Sequence, residues 1–451
     1  MFSRDSLPAN QPILKLINGN LKFATHVAFV GVPVGIVVGA AIAAYDYVVN
    51  ALLWDRFSGF FSTEILCLLP LVGMLLTGLI LKTFRVSSPS MADEIVKAYH
   101  DPTAGLDYKT VAPKLAASTA TMGFGCSAGM EGASKWLGGA LSAFMQATLN
   151  RFKWAKPLHG KVEITMLAGA AAGISAIFRA PLTGAIMGIE SPYKKDLAHD
   201  ALLHALVASA VSYATFVFLR NANPYFPIRF HYALNIRDLL YCIPLGVLAG
   251  ISSHAFLACL NWFKKLSGKL RRHTFVNYLI GGVLLAGIAF TIFQLIGEPA
   301  TLQAGLPVSN RLLAGQYTAS ACALIFVAKL LATAITFGMG GVGGLFVPSA
   351  TIGAALGALC DIYFVPSQPG LFTLVGIAAF TGASYNSLLF SAVFIAEASG
   401  NPALVVPGLI GSSVAYLIGA GVSNSPSQKY ERLDVISIPV EAEGGNNDRQ
   451  P

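Results

Sequence analysis

The chain has few charged residues for its length. Of its 451 residues, 12% are Asp, Glu, Lys or Arg, whereas 55% are hydrophobic and the mean hydropathy is +0.63. Soluble proteins carry about 25% charged residues, so these charges are too few to cover a soluble protein of this size. The composition argues against a soluble enzyme and a disordered chain. It predicts an integral membrane protein that is mostly or entirely helical.

Sequence motifs of the common enzyme classes are also missing. The six cysteines lie far apart and form no C-x-x-C pair, which argues against a disulfide scaffold. The eight histidines never occur at the spacing of metal ligands, and no Walker A, H-E-x-x-H or G-x-S-x-G motif is present. Residues 338–343 match G-x-G-x-x-G, but the strand that this motif requires does not precede them. We therefore expect no enzyme, no metal site and no cofactor.

Positive charge is concentrated between the apolar runs. The net charge is +8, and a dense basic loop occupies residues 264–272. Because basic loops of membrane proteins face the cytoplasm, this loop and the basic segment 1–22 predict cytoplasmic placement, and they do not suggest nucleic-acid binding. No apolar region precedes the first long run at 23–53. We expect a multi-pass protein of the cell membrane, the inner membrane in a bacterium, with both termini cytoplasmic.

The two halves of the chain repeat each other weakly. Residues 167–190 align without gaps with residues 374–397, and residues 129–138 align with residues 344–353. Two matches in the same order and at nearly equal separations indicate homologous halves, although two apolar stretches can also match by composition alone. Gly and Pro break several apolar runs into pieces shorter than a bilayer. The sequence therefore predicts an all-α membrane protein of two inverted-topology repeats with broken and re-entrant helices.

The repeats define the predicted domain organisation, which consists of a cytoplasmic N-terminal segment (1–22), a first membrane repeat (23–220), a linker (221–235), a second membrane repeat (236–430) and a disordered cytoplasmic tail (431–451).

The segments at 129–138 and 344–353 are Gly-rich turns that open a helix. A helix that starts inside a membrane presents unpaired N–H groups and a partial positive charge, which bind an anion without a buried cation. Glycines let the backbone approach an ion closely. Two such helix N-termini could face one anion, but half-helices alone do not exclude a cation site at their opposite ends.

These segments resemble motifs of the CLC family of chloride channels and proton-coupled chloride transporters. Residues 129–133 (G-M-E-G-A) resemble the family's G-[K/R]-E-G-P, and residues 344–348 (G-L-F-V-P) resemble its G-[I/L]-F-x-P. Residues 89–95 (P-S-M-A-D-E-I) occupy the place of G-S-G-I-P-E-[I/V], and residues 180–184 match A-P-L-A-G with one change. The resemblance extends over nearly the whole apolar body. It implies a CLC-like fold and a homodimer in which each protomer has its own pathway through the lipid bilayer.

The resemblance also implies roles for individual residues. Glu131 would be the gating glutamate, whose carboxylate occupies an anion position when ionised and leaves it when protonated. The implied anion-binding residues are Ser90, Gly129, Gly132, Leu345, Phe346 and Tyr430. Three residues have a structural alternative. Glu131 could only stabilise its helix, Ser90 could cap the next helix, and Tyr430 could be an aromatic anchor at the membrane interface.

One position departs from the family's antiporters. Ser191 falls where those proteins carry an inner glutamate that passes protons to the gate, and Glu190 lies one residue earlier. These two residues are the candidates for an inner proton path. The resemblance implies transport of chloride and similar anions, coupled to proton counter-movement. Ser191 favours the alternative of a passive voltage- or pH-gated chloride channel, and a fluoride exporter is a further variant.

Four charged residues in or beside apolar runs are interpreted as structural pairs that hold helices together rather than as direct ion contacts. They are Lys329, Arg179, Glu190 and Glu397. Lys135 and Trp136, one turn after Glu131, have no role that the sequence explains.

Overall fold

The computed structural model of the chain describes residues 10–101, 103, 105–220, 224–228, 232–270, 274–419 and 423–431. The predicted tail lies outside the described residues apart from Glu431. Residues 1–9 of the predicted N-terminal segment and parts of the predicted linker also lie outside them. Both chain ends, which are predicted to be cytoplasmic, therefore lie outside the described residues.

The described part of the chain is helical, and its strand-like pairs are two isolated bridges. The helices before residue 221 are α1 (Asn10–Asp46), α2 (Asp55–Phe60), α3 (Thr63–Thr83), α4 (Ala92–His100), α5 (Val111–Gly123), α6 (Glu131–Leu149), α7 (Val162–Phe178), α8 (Pro181–Glu190) and α9 (Leu202–Arg220), with a π-helical turn at Tyr47–Trp54 joining α1 to α2. The later helices are α10 (Ile236–Leu270), α11 (Thr274–Ile296), α12 (Leu306–Leu313), α13 (Ala319–Gly338), α14 (Phe346–Phe364), α15 (Leu371–Tyr385), α16 (Leu389–Ser399) and α17 (Val405–Ile418). The all-α prediction is confirmed.

Within the described residues, seven helical segments are long and apolar enough to cross a membrane, and they are Ala24–Phe60, Thr63–Thr83, His199–Arg220, Ile236–Leu270, Phe275–Ile296, Ala319–Gly338 and Phe346–Phe364. The apolar helices α7, α8, α15 and α16 are shorter than the roughly 20 residues that a full span needs. These short helices agree with the prediction that apolar runs are broken into pieces shorter than a bilayer. The Gly-rich breaks that the sequence singles out, at 129–138 and 344–353, lie elsewhere, where α6 and α14 begin.

The two halves of the chain build the same broken helix pair, α7–α8 in the first half and α15–α16 in the second. Arg179 ends α7 in the left-handed conformation with φ 56°, and the aligned Asn386 ends α15 with φ 51°. The N–H of each donates to the carbonyl three residues earlier, that of Ala176 or Ala383, at 3.3 Å in both turns. Non-glycine residues are uncommon in this conformation, so the shared turn supports a common origin of the halves.

Close helix packing also repeats at aligned glycines. A side chain at Gly138 of α6 would overlap the carbonyl of Gly169 in α7, and one at Gly353 of α14 would overlap the carbonyl of Gly376 in α15. Small residues bring membrane helices into close backbone contact. Each half therefore holds a broken helix pair against the helix that opens at its Gly-rich turn.

Glu190 is the last residue of α8, and its carboxylate caps the N-terminus of α16. One oxygen accepts hydrogen bonds from the amides of Leu388 and Leu389, at 2.8 and 3.1 Å, and the other accepts from Phe390 at 3.0 Å. A helix N-terminus has N–H groups without intrahelical partners. A carboxylate satisfies these groups and interacts favourably with the positive end of the helix dipole.

Glu397 of α16 returns the same interaction to α8. One carboxylate oxygen accepts from the amide of Leu182 at 2.9 Å, and the other accepts from the amide and the hydroxyl of Thr183, both at 2.7 Å. Since each glutamate lies near the C-terminal end of its own helix and caps the other helix, α8 and α16 run antiparallel. This exchange relates the halves by an approximate two-fold axis, as inverted repeats require. The structural interpretation of Glu190 and Glu397 agrees with these contacts, although their partners are helix N-termini.

We expect Glu397→Gln to lower the stability of the protein. The amide side chain loses the negative charge and replaces one acceptor oxygen with an NH₂ group that faces the backbone donors. The loss is expected to be about 2 kcal/mol, as for other charged helix caps. Thermal unfolding of the purified protein in detergent measures it. Glu431→Gln, which changes an exposed carboxylate, is the control, and equal unfolding temperatures for the two variants would contradict the capping role.

Candidate functional site

The N-termini of α6 and α14 meet through their preceding turns. The N–H of Gly129 donates to the carbonyl of Gly344 at 2.8 Å, and the N–H of Gly344 donates to the carbonyl of Gly129 at 2.7 Å. This antiparallel pair joins the two Gly-rich turns that the sequence comparison aligns. It places the first turns of the two helices side by side inside the protein.

Glu131, the first residue of α6, has a carboxylate that lies against the N-terminus of α14. The side chain is only 3% exposed, and its Oε1 accepts hydrogen bonds from the amides of Phe346 and Val347, the latter at 3.3 Å. Oε2 is buried and has no hydrogen-bond partner among the described residues. A buried acceptor without a partner costs free energy. The carboxylate is therefore bound to the helix through one oxygen only.

The surrounding glycines leave room for this carboxylate. A Cβ atom at Gly129 or Gly344 would overlap the Glu131 carboxylate itself. A Cβ atom at Gly132 would overlap the backbone carbonyl of Gly343. At Gly132 and Gly344 a Cβ atom would also overlap backbone atoms, so close approach requires glycine there, whereas at Gly129 it would displace only the Glu131 carboxylate.

A cavity of about 170 Å³ opens beside Glu131. Its wall combines the start of α4, the first turn of α6, the Gly-rich turn before α14, and the C-terminal ends of α8 and α15. The polar and charged residues on this wall include Ser90, Asp93, Glu131, Lys135, Ser191 and Tyr385. Of the predicted residues, Ser90, Gly132, Leu345 and Ser191 line this cavity together with Glu131.

A second cavity, of about 280 Å³, lies on the other side of the same turns. Met130 and Val347 line it, whereas their neighbours Gly132 and Leu345 line the first cavity. Glu131 lines the first cavity and its neighbour Met130 lines the second, so the start of α6 lies between the two cavities.

Ser90 precedes α4 but does not act as its cap. The residue before the helix is Met91, and no side chain caps the helix start. The carbonyl of Ser90 accepts a hydrogen bond from the Lys114 ammonium at 2.9 Å. The capping alternative for Ser90 is therefore wrong, and the serine lies on the cavity wall.

Lys114, which the sequence does not mark as functional, holds the turn that carries Ser90. Its side chain is 1% exposed in α5, pairs with Glu94 at 2.6 Å, and lies 4.8 Å from the ring centre of Trp136. These contacts fix α4 and its preceding turn against α5 and α6. They also give Trp136 a structural role. A lone lysine within the apolar segment 111–123 was the signal that could have identified it.

Tyr430 does not reach the cavity, so its predicted place beside Ser90 is corrected. Its side chain is 56% exposed, and the ammonium of Lys195 lies 4.6 Å from its ring centre. The segment before it pairs with the loop after α8, where Tyr193 and Lys429 form a bridge. This pairing holds Tyr430 at the surface. Tyr385, the last residue of α15, is the described tyrosine that lines the cavity instead.

The two residues proposed for an inner proton path differ in position. Ser191 lines the cavity, and its hydroxyl accepts a hydrogen bond from the Lys135 ammonium at 2.8 Å. Glu190 is absent from the described lining of the cavity, because both of its oxygens cap α16. The structure thus brings Ser191 to the site and directs Glu190 away from it.

No group of three or more His, Cys, Asp or Glu residues that could hold a metal ion occurs in the described part of the chain. The site consists of backbone amides, hydroxyls, the carboxylates of Asp93 and Glu131 and the buried ammonium group of Lys135. Amides, hydroxyls and an ammonium group are suited to small monovalent anions, and a carboxylate is suited to a proton.

Known proteins share this architecture. Two solved structures superpose over most of the chain. A CLC-type fluoride/proton antiporter gives a TM-score of 0.76 at 22% identity and covers 90% of this chain and 98% of its own. A slow cyanobacterial Cl⁻/H⁺ antiporter gives a TM-score of 0.75 at 20% identity and covers 87% of this chain and 94% of its own. At these identities the likeness establishes the fold.

Curated relatives are similar in sequence. An uncharacterized protein of Methanocaldococcus jannaschii is 28% identical over 254 residues, which cover 56% of this chain and 62% of the relative. The H(+)/Cl(-) exchange transporter ClcA of Vibrio cholerae is 26% identical over 313 residues, covering 68% of this chain and 65% of the relative. ClcA of Citrobacter koseri is 27% identical over 404 residues, which cover 86% of this chain and 80% of the relative. The chain thus spans less than two thirds of the length of the first two.

The sequence profile of voltage gated chloride channels matches residues 72–420, which include every helix from α4 to α17. Together with the broken-helix fold and the two Gly-rich turns, this match shows that the chain is a membrane protein of the voltage-gated chloride channel, or CLC, family.

Proposed function

We propose that the protein transports chloride and similar small anions across a membrane, coupled to proton counter-movement, with Glu131 as the gate. The observation that carries this proposal is the position of the Glu131 carboxylate. It lies on the amides of α14, at the start of a helix that borders two cavities, with one buried oxygen unpaired.

The gate works by competition for the same N–H groups. The amides of Phe346 and Val347 form an anion-binding helix N-terminus, which the ionised Glu131 carboxylate now occupies. Protonation removes the negative charge and weakens the attraction to the helix. The neutral side chain then leaves, and a chloride ion takes its place on the amides. Anion entry and proton uptake are thereby linked at one residue.

Other residues on the cavity wall would bind the ion on its way to these amides. The hydroxyls of Ser90 and Tyr385 donate hydrogen bonds without adding charge. The backbone amides of Leu345 and Phe346 lie at the start of α14. The glycines of both turns, Gly129 and Gly132 among them, let an ion approach the backbone.

The names of similar proteins support the same activity. The two ClcA relatives are H(+)/Cl(-) exchange transporters, and the two solved neighbours are proton antiporters for fluoride or chloride. A passive chloride channel is the second candidate. Ser191 favours it, because a hydroxyl stands where the family's antiporters have an inner proton-carrying glutamate.

We also propose that the protein lies in the cell membrane as a homodimer, with both termini cytoplasmic. The basic residues of segment 264–272 support the orientation, although Lys264, Lys265 and Lys269 lie at the C-terminal end of α10 and not in a loop as predicted. The family resemblance supports the dimer.

Chloride and proton movement, followed together, test the gate. Liposomes that contain the wild-type protein are loaded with high chloride, and chloride efflux and external pH are recorded. We expect outward chloride movement to drive protons into the vesicles and to raise the external pH. In Glu131→Gln, which cannot ionise, we expect chloride efflux to continue while proton uptake falls to that of empty vesicles.

The control is Glu64→Gln, which changes an exposed carboxylate in α3 and is expected to behave as wild type. Wild-type chloride efflux without proton uptake would identify a passive channel. Wild-type protein that moves no chloride would refute chloride as the substrate, and fluoride would be tested next. Unchanged proton coupling in Glu131→Gln would show that Glu131 is not the gate.

The two tyrosines offer a matched test of the anion site. We expect Tyr385→Phe to weaken chloride binding, because it removes a hydroxyl donor from the cavity wall. The expected loss is about 1 kcal/mol, or roughly fivefold in affinity. Tyr430→Phe changes an exposed side chain and should leave binding unchanged. Isothermal titration of each purified variant with chloride measures the affinity. Weakened binding in Tyr430→Phe together with unchanged binding in Tyr385→Phe would indicate that Tyr430 is the anion-binding tyrosine.

A further inference from the structure

Lys135 is a buried cation on the wall of the cavity, four residues after the gate. Its side chain is 3% exposed, and it lines the cavity together with Glu131 and Ser191. The aligned position in α14 is Ala350, which is also buried. A helix that opens at a Gly-rich turn therefore does not need a lysine for its structure. Burying an ammonium group is costly unless an anion or several hydrogen bonds compensate it.

The described residues give Lys135 little compensation. Its ammonium donates one hydrogen bond, to the neutral hydroxyl of Ser191, although an ammonium group has three donors. Lys135 takes part in none of the ion pairs among the described residues. The positive end of the α6 dipole lies only one turn away, so the helix does not offset the charge either.

Both carboxylates on the cavity wall are engaged elsewhere. Glu131 is bound to the amides of α14. Asp93 accepts hydrogen bonds from the hydroxyl of Ser425 at 2.6 Å and from the amide and hydroxyl of Ser427 at 3.0 and 2.7 Å. Neither carboxylate neutralises Lys135 by direct contact.

Two other buried lysines provide an internal comparison. Lys114 pairs with Glu94 and also donates to the carbonyl of Ser90. Lys329 donates to three backbone carbonyls, in residues 301–303. Each of these ammonium groups has several polar partners that hold it in place. Lys135 differs from both, because its remaining donors have no protein acceptor among the described residues and its side chain borders an open cavity.

We propose that the Lys135 ammonium and the Ser191 hydroxyl together bind the transported anion at the Ser191 end of the cavity, before it reaches the amides of α14. The inference rests on the proposed function, and it adds a fixed positive charge, that of Lys135, to the proposed path of the anion. The hydroxyl of Ser191 donates a long hydrogen bond to the carbonyl of Gly188, at 3.3 Å. A small rotation would direct its proton to an ion held by Lys135. The same ammonium disfavours a proton at this position, where an inner glutamate would receive one.

Chloride titration of the purified full chain tests this site. We expect Lys135→Met to weaken chloride binding roughly tenfold or more. Methionine has a side chain of similar length, but it cannot make the charge-assisted hydrogen bond to the anion. Lys135→Arg keeps the charge and is expected to retain binding within about threefold of wild type. The control is Lys269→Met, which removes an exposed lysine of α10 that is absent from the described lining of the cavity, and it should leave affinity unchanged.

A second variant keeps the test valid if Lys135→Met does not fold. Ser191→Ala removes the hydroxyl alone and is expected to weaken binding about threefold to tenfold. Bromide-soaked crystals of the wild-type protein should show anomalous scattering beside the Lys135 ammonium. Wild-type affinity in both Lys135→Met and Ser191→Ala would overturn this inference alone. If the wild-type protein binds neither chloride nor fluoride, the proposed function fails and the inference fails with it.

Discussion

Unpaired N–H groups of helices that begin inside the apolar body are the constraint on which this structure depends. Carboxylates satisfy several of them. Glu190 and Glu397 each use both oxygens on the helix of the other repeat, and Asp361 uses both oxygens on the amides of residues 372 and 373 at the start of α15. Glu131 uses only one oxygen on α14. The first three carboxylates bind like permanent caps, whereas Glu131 binds like a ligand that can be exchanged.

The approximate symmetry of the repeats makes this difference visible. The alignment that pairs Gly129 with Gly344 pairs Glu131 with Phe346. In place of a second carboxylate, the second repeat has a phenyl ring, which lies 4.9 to 5.3 Å from the rings of residues 178, 390 and 394. Two helix N-termini therefore share one carboxylate. With a carboxylate on each helix, the two charges would repel each other in a buried space. Because only one repeat has a carboxylate here, Glu131 and a transported anion would compete for a single position.

The features that could be predicted from the sequence are those that depend on local composition or on the repeat. Low charge indicated the membrane, and the two aligned Gly-rich turns indicated where the helices begin and that Glu131 lies there. Contacts between remote segments could not be predicted in the same way. Tyr430 follows the last apolar run, but the bridge between Tyr193 and Lys429 directs it to the surface, while Tyr385 arrives at the cavity from the end of α15. Likewise, no local pattern shows that Glu190 meets the start of α16 about 200 residues later.

The cavity contains two polar groups of opposite character that the protein leaves incompletely satisfied. Oε2 of Glu131 is an acceptor without a donor, and the ammonium of Lys135 has more donors than acceptors. A proton satisfies the first group, and an anion satisfies the second. They lie one helical turn apart on α6, but the carboxylate is bound to the amides of α14 and the ammonium to Ser191, and no ion pair joins them among the described residues. An anion bound at Lys135 raises the cost of the nearby negative charge on Glu131 and thereby favours its protonation. In the proposed mechanism, this interaction links anion arrival to gate opening through a single helix turn.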